Sequence, residues 1–546
     1  MPKQIVALLV CICILMVAAS CNTGEPAPSE GLVTTQQTGS QPLGTGTLSL
    51  AFSASDSLNP YTAVTKVNKQ LTALLFDPLV KLDEQINPVL CLAKSAVVEG
   101  NKCIVTLNDA QFSDGTTVTA DDVVYSLNLA QEAETTIFPQ QLANIASCGA
   151  ASPTVVEFTM RTEDPNVIRL LDFPIIKTNS EDRQNADKKA LPPIGCGRYV
   201  YQDDHGSYSL IPNENYFGVA PENNVQLVNV PDTAAWQYAL KSGEADICYS
   251  GIDLDDVPSM RGGVSRVAQT DFVFLGLNEN VAQVSDIYIK KAIFYLLNRK
   301  EICDSAYYSY ATPATSPFTE QLDFAADTAQ EVSETGDLQA AQQQLEQTGY
   351  TAGDSDGLYR SDDGILQLTL LYNTDNANHV LAATLLQEQF ETGGVQLELD
   401  GKSGAEYAAL VAGGQYMLYL GEIKLNKNFD LTNMLGEAMH MPVTTQNPEK
   451  TTTQASTGVT GNTTPATTQP VATTAPQPKV DTAALYQSYL TGQTTIETFM
   501  EGFYADLPFI PVCHRLGVLH YSEKVTPAAT ASVSDAYYNI TTLSVS

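Results

Sequence analysis

Residues 112–127 read FSDGTTVTADDVVYSL and place three carboxylates within nine positions. Asp114 and Gly115 are typical of a turn, because Asp can bond its own backbone and Gly accepts a positive φ. Thr119 predicts the N-cap of a helix, and Asp122 stands three residues later, where a carboxylate closes a capping box. The positive end of the helix dipole keeps such an acid ionised, which makes it a poor proton donor. The stretch therefore indicates a turn and a helix cap, not an acid–base site.

The charge balance is strongly acidic, with 62 Asp and Glu against 28 Lys and Arg and a net charge of −34. Nucleic-acid binding depends on Lys and Arg that neutralise phosphates, so nucleic acid is not an expected partner. Two interpretations remain, a solvated acidic surface that keeps an exported protein soluble and an attraction for cationic ligands. At 546 residues the chain is also too long for one core, which predicts several folding units.

The chain begins with a targeting segment. Lys3 precedes an apolar run over 5–16, which is shorter than the roughly 20 residues of a membrane-spanning helix and is typical of a signal peptide. The sequence VAASC, ending at Cys21, resembles a bacterial lipobox. Residues 1–20 are therefore predicted to be removed and Cys21 to carry lipid; an ordinary signal peptide with an incidental cysteine is the alternative. The small, polar residues 21–44 predict a tether, which fits a Gram-positive membrane surface.

Strand and helix patterns alternate from Thr45 onward, which predicts an α/β fold in more than one lobe. Residues 67–76 and 233–242 have helical spacing. Residues 272–278 read as a buried strand, and a long amphipathic helix is predicted from Ile289 onward. Together these elements account for most of the chain beyond the tether.

Residues 443–479 differ from their surroundings, because they are mostly Thr, Pro, Gln, Ala and Gly and include no aromatic residue. Such a composition buries too little apolar surface to offset the entropy of ordering, so this segment is predicted to be a disordered insertion. An insertion in a surface loop is tolerated because the entropy of loop closure grows slowly with length.

No spacing of residues predicts catalysis, a cofactor or a metal site. The cysteines after Cys21 include no CxxC, the histidines show no HxH or HExxH, and neither a GxSxG nor a Walker loop is present. His514 and His520 lie six apart on a predicted strand, which is only a weak indication of a metal. Cys91 and Cys103 either pair across neighbouring strands or are buried thiols.

The stretch at 112–127 resembles the signature of the family 5 extracellular solute-binding proteins, the peptide- and nickel-binding components of ABC importers. Further pieces follow in the order of that family: SLNPYT (57–62), LLFDPLV (74–80), PPIGCGRYV (192–200), NENYFG (213–218), ALKSGEADI (239–247), FLGLNEN (274–280), IKKAIFYLLNRKEI (289–302) and LPFIPV (507–512). The resemblance covers residues 45–435 and 480–525.

The resemblance implies a two-lobed clamp of the periplasmic-binding-protein type (the large, cluster C form) with a small accessory domain. Lobe one would combine residues 45–76, 191–270 and 505–546. The accessory domain would span 77–190, and lobe two 271–504. Ligand would lie between the lobes and shift the population toward the closed state, because only that state contacts it from both sides.

The resemblance also implies where ligand binds. In peptide-binding members an aspartate of lobe two holds the α-ammonium of the peptide, and Leu425 stands at its place here, with Glu422 where Trp is usual. Either Glu422 or Asp430 anchors the ammonium, or the ligand is not a free-amine peptide. The complete set of expected ligand-binding residues is Thr65, Lys66, Asn68, Phe272, Phe274, Tyr419, Glu422, Leu425, Asn426 and Asp430. One of the two phenylalanines is expected to be core, since strand alternation turns only one face to the cleft.

The function implied is that of a lipid-anchored, monomeric receptor on the extracytoplasmic face of the membrane, which captures oligopeptides or another small solute for an ABC permease. A sugar, an opine or a metal chelate is the alternative ligand within the same fold. A sensory or peptide-chaperone lipoprotein without a transport partner is a different alternative. An enzyme would need a nucleophile–base pair or a metal site, and the sequence shows neither.

Overall fold

A computed structural model describes residues 46–546 apart from 187, 253–260, 327, 329, 331, 354–355, 363 and 436–479. The predicted signal peptide (1–20), the lipidation site at Cys21 and the tether (21–44) lie outside the described residues. The predicted insertion at 443–479 does so as well.

The strands are numbered in chain order. They are β1 Leu48–Phe52, β2 Val80–Leu82, β3 Pro88–Leu90, β4 Ala93–Glu99, β5 Lys102–Leu107, β6 Ile145–Ser152, β7 Val155–Met160, β8 Tyr199–Asp204, β9 Ser207–Pro212, β10 Val225–Asn229, β11 Ile247–Gly251, β12 Gly262–Leu277, β13 Ala311–Pro313, β14 Thr351–Ala352, β15 Tyr359–Ser361, β16 Gly364–Ile365, β17 Gln367–Asn373, β18 Gln396–Lys402, β19 Leu418–Lys424, β20 Phe509–Ser522, β21 Val525–Thr526 and β22 Ser544–Val545.

The helices are numbered in the same way. They are α1 Lys66–Leu75, α2 Ala120–Glu132, α3 Phe138–Gln141, α4 Thr233–Ser242, α5 Ala282–Ser285, α6 Ile287–Leu296, α7 Arg299–Ser305, α8 Leu338–Leu345, α9 Ala377–Thr392, α10 Gly404–Ala412, α11 Thr432–Leu435, α12 Thr482–Leu490 and α13 Ile496–Asp506. Within the described residues, no helix is both long enough and apolar enough to cross a membrane.

A large mixed sheet organises the molecule, in the order β18-β17-β19-β12-β20-β11-β1-β10-β9-β8, with β13 on β20. The strands β1 and β8–β11 lie to one side of the central pair β12 and β20 and are called the first lobe here. The strands β17–β19 lie to the other side and are called the second lobe. The two long antiparallel strands of the central pair therefore run through both lobes and connect them.

The central pair is interrupted by a bulge at its middle. Pairing passes directly from Ala268–Leu516 to Phe272–His514, so that residues 269–271 of β12 lie opposite Arg515 alone. A bulge bends its strand and increases the local twist. This one, called the junction bulge here, lies where the central pair passes from the first lobe to the second.

The N-terminal third of the fold carries a smaller antiparallel sheet in the order β4-β5-β7-β6, packed against α2. Its apolar side chains share one core with the first lobe, whereas Leu82 and Ile86, from the hairpin β2–β3, belong to the core of the second lobe. Contacts among the described residues hold them together as one unit. The boundaries at 76/77, 190/191, 270/271 and 504/505 therefore stay predictions.

The capping box predicted in the 112–127 stretch is confirmed. Thr119 donates to Asp122 Oδ2 from its backbone N at 2.9 Å and from Oγ1 at 2.7 Å, and α2 begins at the next residue. Gly115 has a φ of +81° in the preceding turn. The other oxygen of Asp122 accepts from the backbone N and Oγ1 of Thr178. Both aspartate oxygens are therefore structural.

The long helix predicted from Ile289 is wrong. The structure has two helices there, α6 ending at Leu296 and α7 beginning at Arg299. The side chain of Asn298 accepts from the backbone N of Glu301 and caps α7. Asn competes for backbone donors in this way, which favours a helix start over a helix interior.

Candidate functional site

Charged side chains meet at the junction bulge. Glu422 of β19 accepts a hydrogen bond from Arg515 Nη1 at 2.6 Å through Oε1 and from His379 Nε2 at 3.1 Å through Oε2. Asp271, within the bulge, pairs with Lys424 at 3.1 Å. The guanidinium of Arg515 also lies over the ring of Tyr307, 4.7 Å from its centroid. The junction cluster is the name used here for the charged residues Glu422, Arg515, His379, Asp271 and Lys424.

Each acid of the junction cluster pairs with a cation of the same cluster. Burial acts to raise the pKa of Glu422, but the hydrogen bond from His379 and the charge of Arg515 outweigh it, and this pKa lies below its usual range. Burial raises the pKa of Asp271, against the charge of Lys424. Glu422 is thus held ionised with both oxygens bonded inside the protein. Its carboxylate is therefore engaged within the protein and is not available as an anchor for a ligand ammonium.

The predicted ligand-binding residues that follow β19 mainly make contacts within the protein. Leu425 is buried, and its backbone N donates to Thr270 O in the junction bulge at 3.0 Å. Asp430 accepts from the backbone N of Thr432 at 2.9 Å and from its hydroxyl, at the start of α11. Asn426 is half-buried in the turn between these two positions.

Phe272, Phe274 and Tyr419 are buried in the core of the second lobe. The two phenylalanine rings stack at 5.7 Å, and Tyr419 meets Phe274 edge-on at the same centroid distance. Sequence alternation predicted that one phenylalanine would be core, whereas the structure buries both. Residues two apart on a strand share a face, so the pair could not be divided between cleft and core.

The predicted residues of the first lobe lie at the start of α1. Asn68 is fully buried, and its side chain bonds the backbone of Ser53, Asp56 and Ser57. Thr65 donates from N and Oγ1 to Asp56 Oδ2. The structure therefore uses Asn68 and Thr65 to hold the loop between β1 and α1.

A cavity of about 350 Å³ opens beside this helix and is called the lysine cavity here. Lys66, the remaining residue predicted in the first lobe, lines it, and its Nζ donates to Ser250 O at 2.6 Å. The full lining is Val64, Lys66, Lys69, Gln70, Tyr249 and residues 532–536.

Sequence reasoning missed most of this lining. Lys69 follows Lys66 by three residues on α1, and that helical spacing was a usable signal. Tyr249 and the loop 532–536 carried no such signal, because only tertiary folding brings them to α1.

A second polar contact joins the lobes away from the central pair and is called the contact bridge here. Lys427, after β19, binds the carboxylate of Asp172, a fully buried side chain that follows the small sheet. Ser534, in the loop 532–536, donates to the same Asp172 oxygen at 2.6 Å. The lobes therefore touch in this structure, and the loop that lines the lysine cavity takes part in the contact.

Asp164 and Asn428 extend the contact bridge. Asn428 Nδ2 donates to Asp164 Oδ2 at 2.7 Å. Burial raises the pKa of Asp164 to about 6, although the hydrogen bonds from Asn428 and from the backbone of Asn166 oppose it. Arg169, on the same segment, pairs with Asp323 of the second lobe.

Within the residues that the structure describes, no three His, Cys, Asp or Glu side chains come together as a metal site. His514 is buried and bonds Ser316 O at 3.3 Å, and burial lowers its pKa to about 4. Cys91 and Cys103, which were expected either to pair or to be buried thiols, are free and buried.

The comparisons with known proteins fit this architecture. The sequence profile "Bacterial extracellular solute-binding proteins, family 5 Middle" matches residues 87–438, well over half of the chain. A Brucella ovis protein with the provisional name ABC transporter peptide-binding protein is 29% identical over 258 residues, 44% of this chain and 48% of that protein. The chain thus matches about half the length of this relative. The nickel-binding periplasmic protein of Escherichia coli is 24% identical, over 63% of this chain and 69% of its own.

Solved structures share the fold. An ABC transporter substrate-binding protein from Sinorhizobium meliloti superimposes with a TM-score of 0.67 at 18% identity, over 92% of this chain and 100% of that one. A nickel ABC transporter structure from Bacillus halodurans gives 0.67 at 21% identity, over 91% and 99%. The predicted α/β fold, a two-lobed clamp, is confirmed.

Proposed function

Because this chain belongs to the family 5 bacterial extracellular solute-binding proteins, we propose that it is the substrate-binding component of an ABC importer, which captures oligopeptides between its lobes and delivers them to the permease. The observation that carries the proposal is the central strand pair, with a bulge where it passes between lobes and a cavity beside it. A bent two-strand connection allows the lobes to close on a solute and open again.

In this proposal the protein works by a shift in population. A solute that contacts both lobes stabilises the closed state by its differential affinity for that state. The permease would then recognise the closed form. No catalytic step is involved, in keeping with the transport role of the family.

The proposed location is the extracytoplasmic face of a bacterial membrane. Cys21, after the apolar run of the leader, would carry the lipid, and residues 21–44 would let the monomeric receptor reach its permease. A Gram-positive surface fits such an anchor. Replacing Cys21 with Ala should release the protein into the medium, as membrane fractionation and mass spectrometry of the N-terminus would report.

A non-peptide solute is the second candidate. It is favoured by Glu422, whose two oxygens are bonded by Arg515 and His379, because a peptide ammonium then needs another anchor. A sugar, an opine or a metal chelate would not need one. The nickel-binding periplasmic protein of Escherichia coli, a relative, supports a metal-containing solute within this group.

The test is to incubate the purified, lipid-free chain with a defined library of tri- to pentapeptides, remove the unbound fraction and identify what is retained by mass spectrometry. Retained peptides should also raise the melting temperature in proportion to the logarithm of their concentration. Retention of a sugar or an opine from a matched solute library, with no peptide, would contradict the oligopeptide proposal.

Glu422→Gln distinguishes an anchor from a junction residue. If Glu422 holds the ammonium, peptide affinity falls while the free energy of unfolding stays unchanged. We expect the opposite, a fall in the free energy of unfolding with unchanged peptide affinity of the folded protein, since the carboxylate balances Arg515. Glu388→Gln, an exposed change on α9, is the matched control and should alter neither.

A further inference from the structure

Two cysteines meet in the core of the second lobe. Cys303 lies on α7 and Cys513 on β20, and both belong to the same cluster of buried apolar side chains. The Cys303 thiol is a hydrogen-bond partner of the Cys513 thiol. Contact between two thiols is the starting arrangement for a disulfide, since the sulfur atoms have only to approach to a bond length of about 2.05 Å.

The contact depends on the way α7 packs against the sheet. Arg299, in the first turn of α7, is fully buried, and its Nε donates to Pro511 O on β20 at 3.0 Å. Pro313, on β13, pairs with Cys513 on β20. Cys303 follows Arg299 by four residues, so both lie on the face of the helix that is turned to the sheet. The packing of α7 on β13 and β20 therefore brings the two thiols together.

Cys91 and Cys196 provide the comparison. Both are buried as well. The Cys91 thiol, however, has the side chain of Asp77 as its hydrogen-bond partner, and Cys196 Sγ donates to Asp77 O at 4.0 Å. These two thiols thus share an oxygen-bearing partner, whereas Cys303 and Cys513 bond each other.

The location of the protein favours oxidation of a thiol pair. The chain belongs to a family of extracellular proteins, and disulfides form and persist outside the cytoplasm. In the folded core, burial raises the pKa of Cys513, which leaves little thiolate to react. A bond between the two sulfur atoms is therefore made while the chain folds, before the core encloses them, and the closed core then shields it from reductants.

We infer that Cys303 and Cys513 form a disulfide as the exported chain folds. One cysteine thiolate attacks a sulfur of a small-molecule disulfide and expels a thiolate, which gives a mixed disulfide. The second cysteine thiolate attacks the protein sulfur of that mixed disulfide and expels the other half of the small molecule. Two cysteines are thus oxidised, and the oxidant is reduced to two thiols, which take up the two protons that the cysteines release.

The bond ties α7 to β20, a strand that runs through both lobes. The chain between the two cysteines contains β13–β19, so the bond closes a long loop in the unfolded chain. In the chain-entropy account, long loops gain most from a cross-link, and the second lobe resists unfolding more strongly as a result. Formation of the bond requires export and folding but no solute, so the inference goes beyond the proposed function.

The experiment uses the full chain, exported by a bacterial host with oxidised glutathione in the medium as the small-molecule disulfide. N-ethylmaleimide labels the free thiols of the purified protein in denaturant, the protein is then reduced, and iodoacetamide labels the thiols that reduction releases. Peptide mass spectrometry should find Cys303 and Cys513 with the second label and Cys91 and Cys196 with the first. Without reduction, the peptides of Cys303 and Cys513 should appear joined.

Cys303 or Cys513 with the first label would overturn the inference. A bond from either of them to a third cysteine would overturn it as well. Neither result touches the proposed function, which the solute library tests separately.

Cys303→Ser tests the same inference through stability. In the wild type, a reductant should lower the midpoint of urea denaturation by roughly 0.5 M or more, as a disulfide that closes a long loop implies. Cys303→Ser should have the same midpoint with and without the reductant. Cys148→Ser, a change of a half-buried cysteine on β6, is the matched control and should keep the wild-type difference. A difference that persists in Cys303→Ser would assign the effect to another bond and contradict the inference.

Discussion

The junction cluster and the contact bridge both join the two lobes through charges, but they differ in what keeps their members together. Glu422 and Arg515 lie on β19 and β20, which belong to one continuous sheet with β12. Lys427 and Asp172 lie on segments that touch across the interface between lobes. We therefore expect the cluster to persist when the clamp opens and the bridge to break.

The free energy of a buried charge therefore divides differently between folding and closure in the two places. An acid of the junction cluster loses water on folding and does not regain it in the open state. An acid of the contact bridge regains water whenever the lobes separate. The same kind of ion pair should thus control stability in one place and closure in the other.

The largest effect is expected for Arg515→Met. This change leaves Glu422 buried without its guanidinium, and we expect the free energy of unfolding to fall by about 3–5 kcal/mol. Urea denaturation followed by circular dichroism measures it. Arg360→Met is the matched control, because Arg360 pairs with Asp356 at the surface, where a pair contributes about 0–1 kcal/mol. Similar losses for the two variants would show that the buried pair contributes no more to stability than the surface pair.

Lys427→Met should have a smaller effect and weaken the closed state relative to the open one by about 2 kcal/mol. Separation of the lobes returns Asp172 to water, which limits the free-energy cost of leaving this carboxylate without its ammonium. The loss should appear in the equilibrium between closed and open forms. Small-angle scattering should report a larger radius of gyration for this variant, with an almost unchanged midpoint of urea denaturation. A large fall in that midpoint, with an unchanged radius, would assign Lys427 to folding instead.

The pH dependence of closure should be smaller again. Burial raises the pKa of Asp164 to about 6 in this structure, so its protonated form is favoured when the lobes touch. The contribution of protonated Asp164 to the stability of the closed state is fully present below the ordinary carboxyl pKa and is lost as pH rises through about 6. Between pH 5 and pH 8 closure should weaken by about 1 kcal/mol.

Asp164→Asn should remove that dependence, since the amide carries no charge at either pH. Scattering at several pH values, with wild type and variant side by side, measures the difference. A wild-type clamp that closes more readily at pH 8 would contradict the sign of this prediction.

The smallest effect on closure is expected for Thr119→Ala. The capping box of α2 lies within one body of the fold, so its loss should cost about 1 kcal/mol in the free energy of unfolding. Ligand affinity and the radius of gyration should stay unchanged. A change in either would mean that the small sheet is coupled to the clamp through this helix.

The sequence predicted those features whose causes are local. Thr119 and Asp122 stand three residues apart, and their hydrogen bonds need only a helix start. The buried strand at 272–278 was equally visible, because its apolar run lies within β12. The break between α6 and α7 was local too, but its cap by Asn298 was overlooked in favour of the apolar period.

The candidate site was less visible, because its contacts join distant parts of the chain. Glu422 is bonded by His379 and Arg515, which no spacing connects to it. The loop 532–536 meets α1 only after the sheet has formed. The roles expected for the ligand residues therefore stay predictions, and Lys66 is the one among them that belongs to the lining of the cavity.

Small-angle scattering, with and without a solute retained from the library, measures whether the protein captures a solute by closing its lobes. The wild-type radius of gyration should fall when the solute is added. The Lys427→Met variant should start from a larger radius and reach the same value at higher solute concentration. An unchanged radius in wild type and variant, while calorimetry reports saturated binding, would contradict closure of the lobes on binding.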